Sequence, residues 1–193
     1  MRAFAEELRL LPNQLTAARL ALMPILWAAA LLGHQTLVGA GLALCFALDW
    51  GDGIAARRLG LSSAFGSRFD SITDGLLAPC AIAWLLILEP APFLDHWVLA
   101  LTWFGLTYTS IALGLFKFKR FANLHLQSAR TACVFQYAFA VDTLVAPPYL
   151  PGLMYAAAGA GLLASLESLV LQLVRSDVHE RLGSLLFAGR RGG

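Results

Sequence analysis

Four aspartates carry the chemistry that this sequence advertises. Asp49 and Asp52 are three residues apart, and Asp70 and Asp74 are four apart. On an α-helix either spacing sets both carboxylates on one face. Two helices presenting such pairs at the same end of adjacent spans bring all four together. Charges that close repel strongly in a low-dielectric setting unless cations neutralise them. An all-oxygen donor set favours hard cations such as Mg²⁺ or Mn²⁺, and no histidine or cysteine is interleaved to suggest zinc. Gly53, Ala56 and Gly66 lie among the acids and leave the backbone clear for a flat ligand, while Arg57 offers a forked donor to a phosphate. Carboxylates, divalent metal, an arginine and clearance for a nucleotide are the parts of a phosphoryl-transfer site. A purely structural reading has Asp49 and Asp52 marking a helix end, with Asp70 and Asp74 paired to Arg57, Arg58 or Arg68. That reading explains any one aspartate but poorly explains four at paired helical spacing.

The elements that must position these residues are membrane spans. Of 193 residues, 59% are hydrophobic and only 13% charged. Soluble domains carry about 25% charged residues, so the natural solvent for this surface is lipid. The length suits a single domain over residues 1–193, an all-α integral membrane protein of six transmembrane helices at roughly 20 residues each. Residues 2–10 alternate charge and leucine at helical spacing and predict an amphipathic surface helix, retained rather than cleaved as a signal peptide. Pro12 and Asn13 break that segment and Thr16 caps the first span, 17–32, which Pro24 kinks. Further spans are expected at about 36–50 (continuing as a polar-faced helix through Arg58), 69–88, 96–116, 128–146 and 153–174, with 60–67 as a loop.

Charge sidedness tests this layout, because cytoplasmic connections collect Lys and Arg. All 14 basic residues fall on the termini and the even-numbered connections. Both termini and the aspartates are therefore expected on the cytoplasmic side. A net charge of +2 points to neither nucleic acid nor an acidic partner. Cys45, Cys80 and Cys133 form no C-x-x-C pair and read as buried reduced thiols.

Asp49, Asp52, Gly53, Ala56 and Arg57, then Gly66, Asp70 and Asp74, fill every fixed position of a signature. On these residues the chain resembles the CDP-alcohol phosphatidyltransferase family. Pro12, Asn13, Leu15, Thr16, Arg19 and Pro24 are similar to the segment that often precedes the signature there. The resemblance implies that the four aspartates bind two divalent ions, Mg²⁺ or Mn²⁺, and that Asp74 is also the general base. It implies CDP contacts from Gly53, Ala56, Arg57, Ser63 and Gly66, and a homodimer in a bacterial membrane. The implied donor is CDP-diacylglycerol, whose phosphatidyl group passes to the hydroxyl of a small polar alcohol with release of CMP.

The acceptor is less legible. Lys117, Lys119, Arg120, His125 and Arg130 lie on the aspartates' side of the membrane and would suit a phosphorylated acceptor, although anionic lipid would draw them there too. Ser71 and Gly75 stand where phosphatidylglycerophosphate synthases usually carry proline and lysine. The run from Ser62 to Asp74 is similar to phosphatidylserine synthases, without the phenylalanine-glycine pair expected after it. Phosphatidylglycerophosphate, phosphatidylinositol phosphate and phosphatidylserine synthesis all stay open. A transporter would show repeats or midplane breaks, and a catalytically dead scaffold would have lost an aspartate. Asp142 and Glu167, inside expected spans, are further functional candidates. Trp27, Trp84, Trp97 and Trp103 are expected near span ends or on lipid faces.

Overall fold

In the computed structural model, residues 10–61, 63–118 and 127–174 are described, and the regular structure among them is entirely helical. The helices are α1 (Leu11–Leu31), α2 (Gln35–Leu59), α3 (Ala64–Leu88), α4 (Ala91–Asp95), α5 (Trp97–Phe118), α6 (Gln127–Val145) and α7 (Pro151–Val174). Five of them, α1, α2, α3, α5 and α7, contain stretches long and apolar enough to cross a membrane. At most 33% of each such stretch is buried, so large apolar side chains such as Ile25, Leu31, Ile72, Leu101 and Leu163 face outward. Lipid is the solvent that makes such a surface stable. α6 has 19 residues but carries Arg130, Gln136 and Asp142 and falls short of that apolarity. The expected amphipathic segment, 2–10, lies outside the described residues.

The described residues form two compact units, one of residues 10–90 with 140–149 and one of 91–139 with 150–174. In the first, α1, α2 and α3 make two consecutive antiparallel hairpins. Their sharp turns place Gly33 and Gly60 at φ +77° and +66°, where a side chain would be strained. Gly60 ends α2 in the left-handed conformation, its N–H bonding Ala56 O. The buried face of α1 runs through Asn13, Thr16, Arg19, Met23, Leu26 and Ala30, at the three-to-four-residue spacing of one helix side. Val38, Leu42, Cys45 and Asp52 are the corresponding buried positions on α2. α1 and α2 approach so closely at Gly41 that a Cβ there would lie 2.2 Å from Leu26 Cδ2. The end of α6 packs on this unit too, with Gln35 Nε2 donating to Thr143 O at 3.1 Å and Gly39 against Leu144 and Val145.

Several expectations are corrected. Residues 60–67 are not all loop: α3 begins at Ala64 because Ser63 caps it, its Oγ accepting from Gly66 N at 2.9 Å. The chain is extended at Leu10, just before Pro12 and Asn13, and the first span starts earlier than residue 17. α1 already starts at Leu11, with Pro12 in its first turn where no N–H is needed, so Thr16 is interior rather than a cap. Trp84 and Trp103 are buried rather than interfacial. Trp84 packs edge-on to Trp27 at 6.0 Å, and Trp27 donates to Cys80 Sγ at 3.2 Å. Cys45 is buried as expected, whereas Cys133 is exposed.

In the second unit a polar ladder joins α5 and α7. Thr107 meets Ser165 at 2.9 Å and Ser110 donates to Ser168 at 3.0 Å across the two helices, while within α7 Gln172 Nε2 donates to Ser168 at 2.8 Å. Small hydroxyl residues let helices approach and hydrogen-bond where lipid offers no partner. Trp103 lies over Gly161, where a Cβ would sit 2.2 Å from its Nε1.

Candidate functional site

The hairpin directions bring one end of α1, α2 and α3 together. Asp49 and Asp52 stand in the last turns of α2, Asp70 and Asp74 in the first turns of α3, and Asn13, Thr16 and Arg19 in the first turns of α1. All four aspartates reach one guanidinium. Arg19 Nη1 pairs with Asp49 Oδ1 and lies 3.4 Å from Asp52 Oδ2 and 3.3 Å from Asp70 Oδ1, while Nη2 pairs with Asp74 Oδ1. A planar fork with several donors is suited to bridging carboxylates on separate helices.

The site has two layers. Underneath are Arg19, whose side chain is 0% exposed, and Asp52, 9% exposed. Above them the side chains of Asp49, Asp70 and Asp74 are 37%, 38% and 50% exposed. Thr16 belongs to the lower layer. Its Oγ1 lies 3.1 Å from Asp52 Oδ2 and 3.2 Å from Pro12 O, and its one proton serves one acceptor at a time. Asn13, also buried, fills the space beside Gly66: a Cβ on Gly66 would come within 2.6 Å of Asn13 Oδ1 and 3.3 Å of Ser63 Oγ. Gly66 thus lets α1 and α3 touch, and Ser63 starts the helix that carries Asp70 and Asp74.

The donor set fits a hard divalent cation. One carboxylate oxygen from each of Asp49, Asp70 and Asp74 lies within 4.8 Å of the others. Mg²⁺ holds oxygens at about 2.1 Å, which sets neighbouring ligands about 3.0 Å and opposite ones about 4.2 Å apart, so the three carboxylates would draw in around the ion. Four carboxylates against one guanidinium also leave three formal negative charges, more than the described side chains of the site offset. Asp52 stands outside the three-residue group and is engaged by Thr16 and Arg19.

Of the expected nucleotide contacts, Gly53 and Ala56 lie half-buried on α2 beside the aspartates. The Arg57 side chain, with Lys119, Arg120 and His125, falls outside what the structure describes. Lys117 and Arg130 belong to the second unit. Arg130 is exposed, and Lys117 ends α5, its Nζ bonded to Gln172 O. Glu167 accepts from Ser128 in that unit. Asp142 keeps one buried carboxylate oxygen without a hydrogen-bond partner among the described residues. Arg19 is the residue whose place in the site sequence reasoning missed. It counts there only as a cytoplasmic-side charge, and the structure shows its side chain fully buried on the packed face of an apolar helix. An arginine flanked by apolar residues, three after Thr16 and six after Asn13, is the signal that finds it.

Relatives point the same way. The chain is 40% identical over 80 residues to a CDP-diacylglycerol–glycerol-3-phosphate 3-phosphatidyltransferase of Rickettsia felis, covering 39% of this chain and 44% of that protein. It is 34% identical over 97 residues to the Bacillus subtilis protein of the same name, covering 42% and 50%. A chloroplastic rice protein, phosphatidyltransferase 1 of the same description, is 38% identical over 71 residues, covering 36% and 21%. The matches thus span half or less of these relatives' length. No solved structure matches the chain. A sequence model of one family matches residues 9–168, which include all four aspartates, Arg19 and Thr16, and so the chain belongs to the CDP-alcohol phosphatidyltransferase family.

Proposed function

We propose that this protein moves the phosphatidyl group of CDP-diacylglycerol onto the hydroxyl of a small phosphorylated alcohol, releasing CMP, with glycerol 3-phosphate the first acceptor to test. The observation that carries it is the convergence of four carboxylates from α2 and α3 on one guanidinium, with Asp49, Asp70 and Asp74 forming an open rim. The acceptor follows the names of the relatives, which share it although Ser71 and Gly75 depart from the usual subtype residues.

Asp49, Asp70 and Asp74 would hold divalent metal, with Asp52 joining from the lower layer. Two such ions, Mg²⁺ or Mn²⁺, supply neutralisation of the pyrophosphate and stabilisation of the leaving CMP. The acceptor oxygen attacks the phosphorus that bears the diacylglycerol, and the phosphate–CMP bond breaks. Asp74, the most exposed of the four, takes the hydroxyl proton, since a free alcohol is a poor nucleophile at neutral pH. Gly53, Ala56, Arg57, Ser63 and Gly66 border the donor nucleotide. Lys117, Lys119, Arg120 and Arg130 draw the acceptor phosphate. α6 completes six spans, both termini and the site face the cytoplasm, and two copies of the chain form a homodimer.

The test is a panel of acceptors offered with CDP-diacylglycerol: glycerol 3-phosphate, inositol phosphate, inositol, serine and glycerol. Release of CMP with glycerol 3-phosphate above the others supports the assignment. Turnover with serine alone would refute it. Neutralising Lys117 and Lys119 is expected to raise the acceptor KM severalfold with kcat kept, and an unchanged KM would remove them from the acceptor site.

A further inference from the structure

We propose that Arg19 is a built-in counter-ion, which holds the four carboxylates together and competes with the divalent cations they attract. The proposal rests on the reading of Asp49, Asp52, Asp70 and Asp74 as a divalent-cation site. A single buried guanidinium spans both carboxylate pairs, touching Asp49 and Asp52 of α2 and Asp70 and Asp74 of α3. It lies beneath the rim, fully covered, while Asp49, Asp70 and Asp74 keep between 37% and 50% of their side-chain surface open. Cations therefore arrive from one side at oxygens whose other side Arg19 already holds.

Two consequences oppose each other. Without Arg19 four carboxylates face one another with no positive charge between them, so the protein in chelator loses stability. The same charge repels an incoming dication and must release oxygens to it, so its removal strengthens cation binding. A residue that merely braced the ligands would act with the opposite sign on affinity. Arg19 is on this view a positioning residue, and the sign of the affinity change separates the two roles.

The test measures Mn²⁺ binding to the full-length protein in detergent micelles, by the electron-paramagnetic-resonance signal of free Mn²⁺. It is paired with thermal unfolding in chelator and in Mn²⁺. For Arg19→Gln, Mn²⁺ affinity is expected to rise on the order of tenfold, with a lower Tm in chelator and a larger gain in Tm on adding Mn²⁺. Arg19→Lys keeps the charge without the two-armed reach. It is expected to keep affinity within a few-fold of wild type and to unfold in chelator between wild type and Arg19→Gln. Equal or weaker Mn²⁺ binding by Arg19→Gln overturns the counter-ion role while leaving the metal site standing. Should Arg19→Gln fail to fold even in Mn²⁺, Arg19→Lys decides: affinity near wild type supports the role, and affinity lowered tenfold or more overturns it. Folded wild type that binds no Mn²⁺ removes the metal reading itself, and this proposal with it.

Discussion

Replacing Thr16 by valine keeps the side chain's volume and β-branching but deletes the hydroxyl that reaches Asp52 Oδ2 at 3.1 Å. Asp52 is buried, so water is poorly placed to substitute for the lost donor. A hydrogen bond to a charged group contributes about 1.5–3 kcal/mol net. Asp52 keeps its contact with Arg19, but at 3.4 Å that contact is long and cannot replace the hydroxyl fully. The loss therefore falls near the lower end, about 1.5 kcal/mol, or roughly tenfold in an equilibrium or rate constant. The expected result is a tenfold fall in kcat/KM for CMP release, accompanied by weaker Mn²⁺ binding. Thr16→Ser, which keeps the hydroxyl, should stay within a few-fold of wild type. The neutral hydroxyl orients a ligand without repelling a cation, so this change runs opposite in affinity to Arg19→Gln. Wild-type kinetics and Mn²⁺ affinity in Thr16→Val would refute the place given to Asp52 and the lower layer.

Asp74→Asn is expected to abolish turnover while donor binding stays measurable, read by CDP-diacylglycerol binding beside single-turnover CMP release. Loss of donor binding equal to that in Asp49→Asn would remove the separate role as base. Gly41→Ala places a Cβ 2.2 Å from Leu26 Cδ2, a fully packed side chain, and should destabilise the α1–α2 contact by about 1–3 kcal/mol as overpacking does. Thermal unfolding in detergent checks it, and Leu26→Ala in the same chain should restore part of the loss.

The helical membrane architecture and the aspartate pairs are legible in the sequence because both follow from short-range rules. Apolar length reveals a span, and carboxylates three or four apart share a face whatever else the chain does. The start of α3 is less legible, since Gly66 and Ser67 weaken helix propensity; the Ser63 cap and the contact of Gly66 with Asn13 override it. Arg19 is hidden for a different reason. The rule that assigns basic residues to the cytoplasmic boundary absorbs it without remainder, and only tertiary packing shows it under the carboxylates. Trp84 and Trp103 mislead likewise: a general preference of tryptophan for interfaces gives way to specific packing against Trp27 and over Gly161.

The most direct measurement is CMP release by the purified protein from CDP-diacylglycerol and glycerol 3-phosphate, first in chelator and then with Mg²⁺ or Mn²⁺ restored. Turnover should be absent in chelator, return with either cation, and vanish in Asp70→Asn. CMP release that persists undiminished in chelator, or none with any acceptor of the panel from folded protein supplied with both cations, would contradict a divalent-dependent phosphatidyl transfer at these four aspartates.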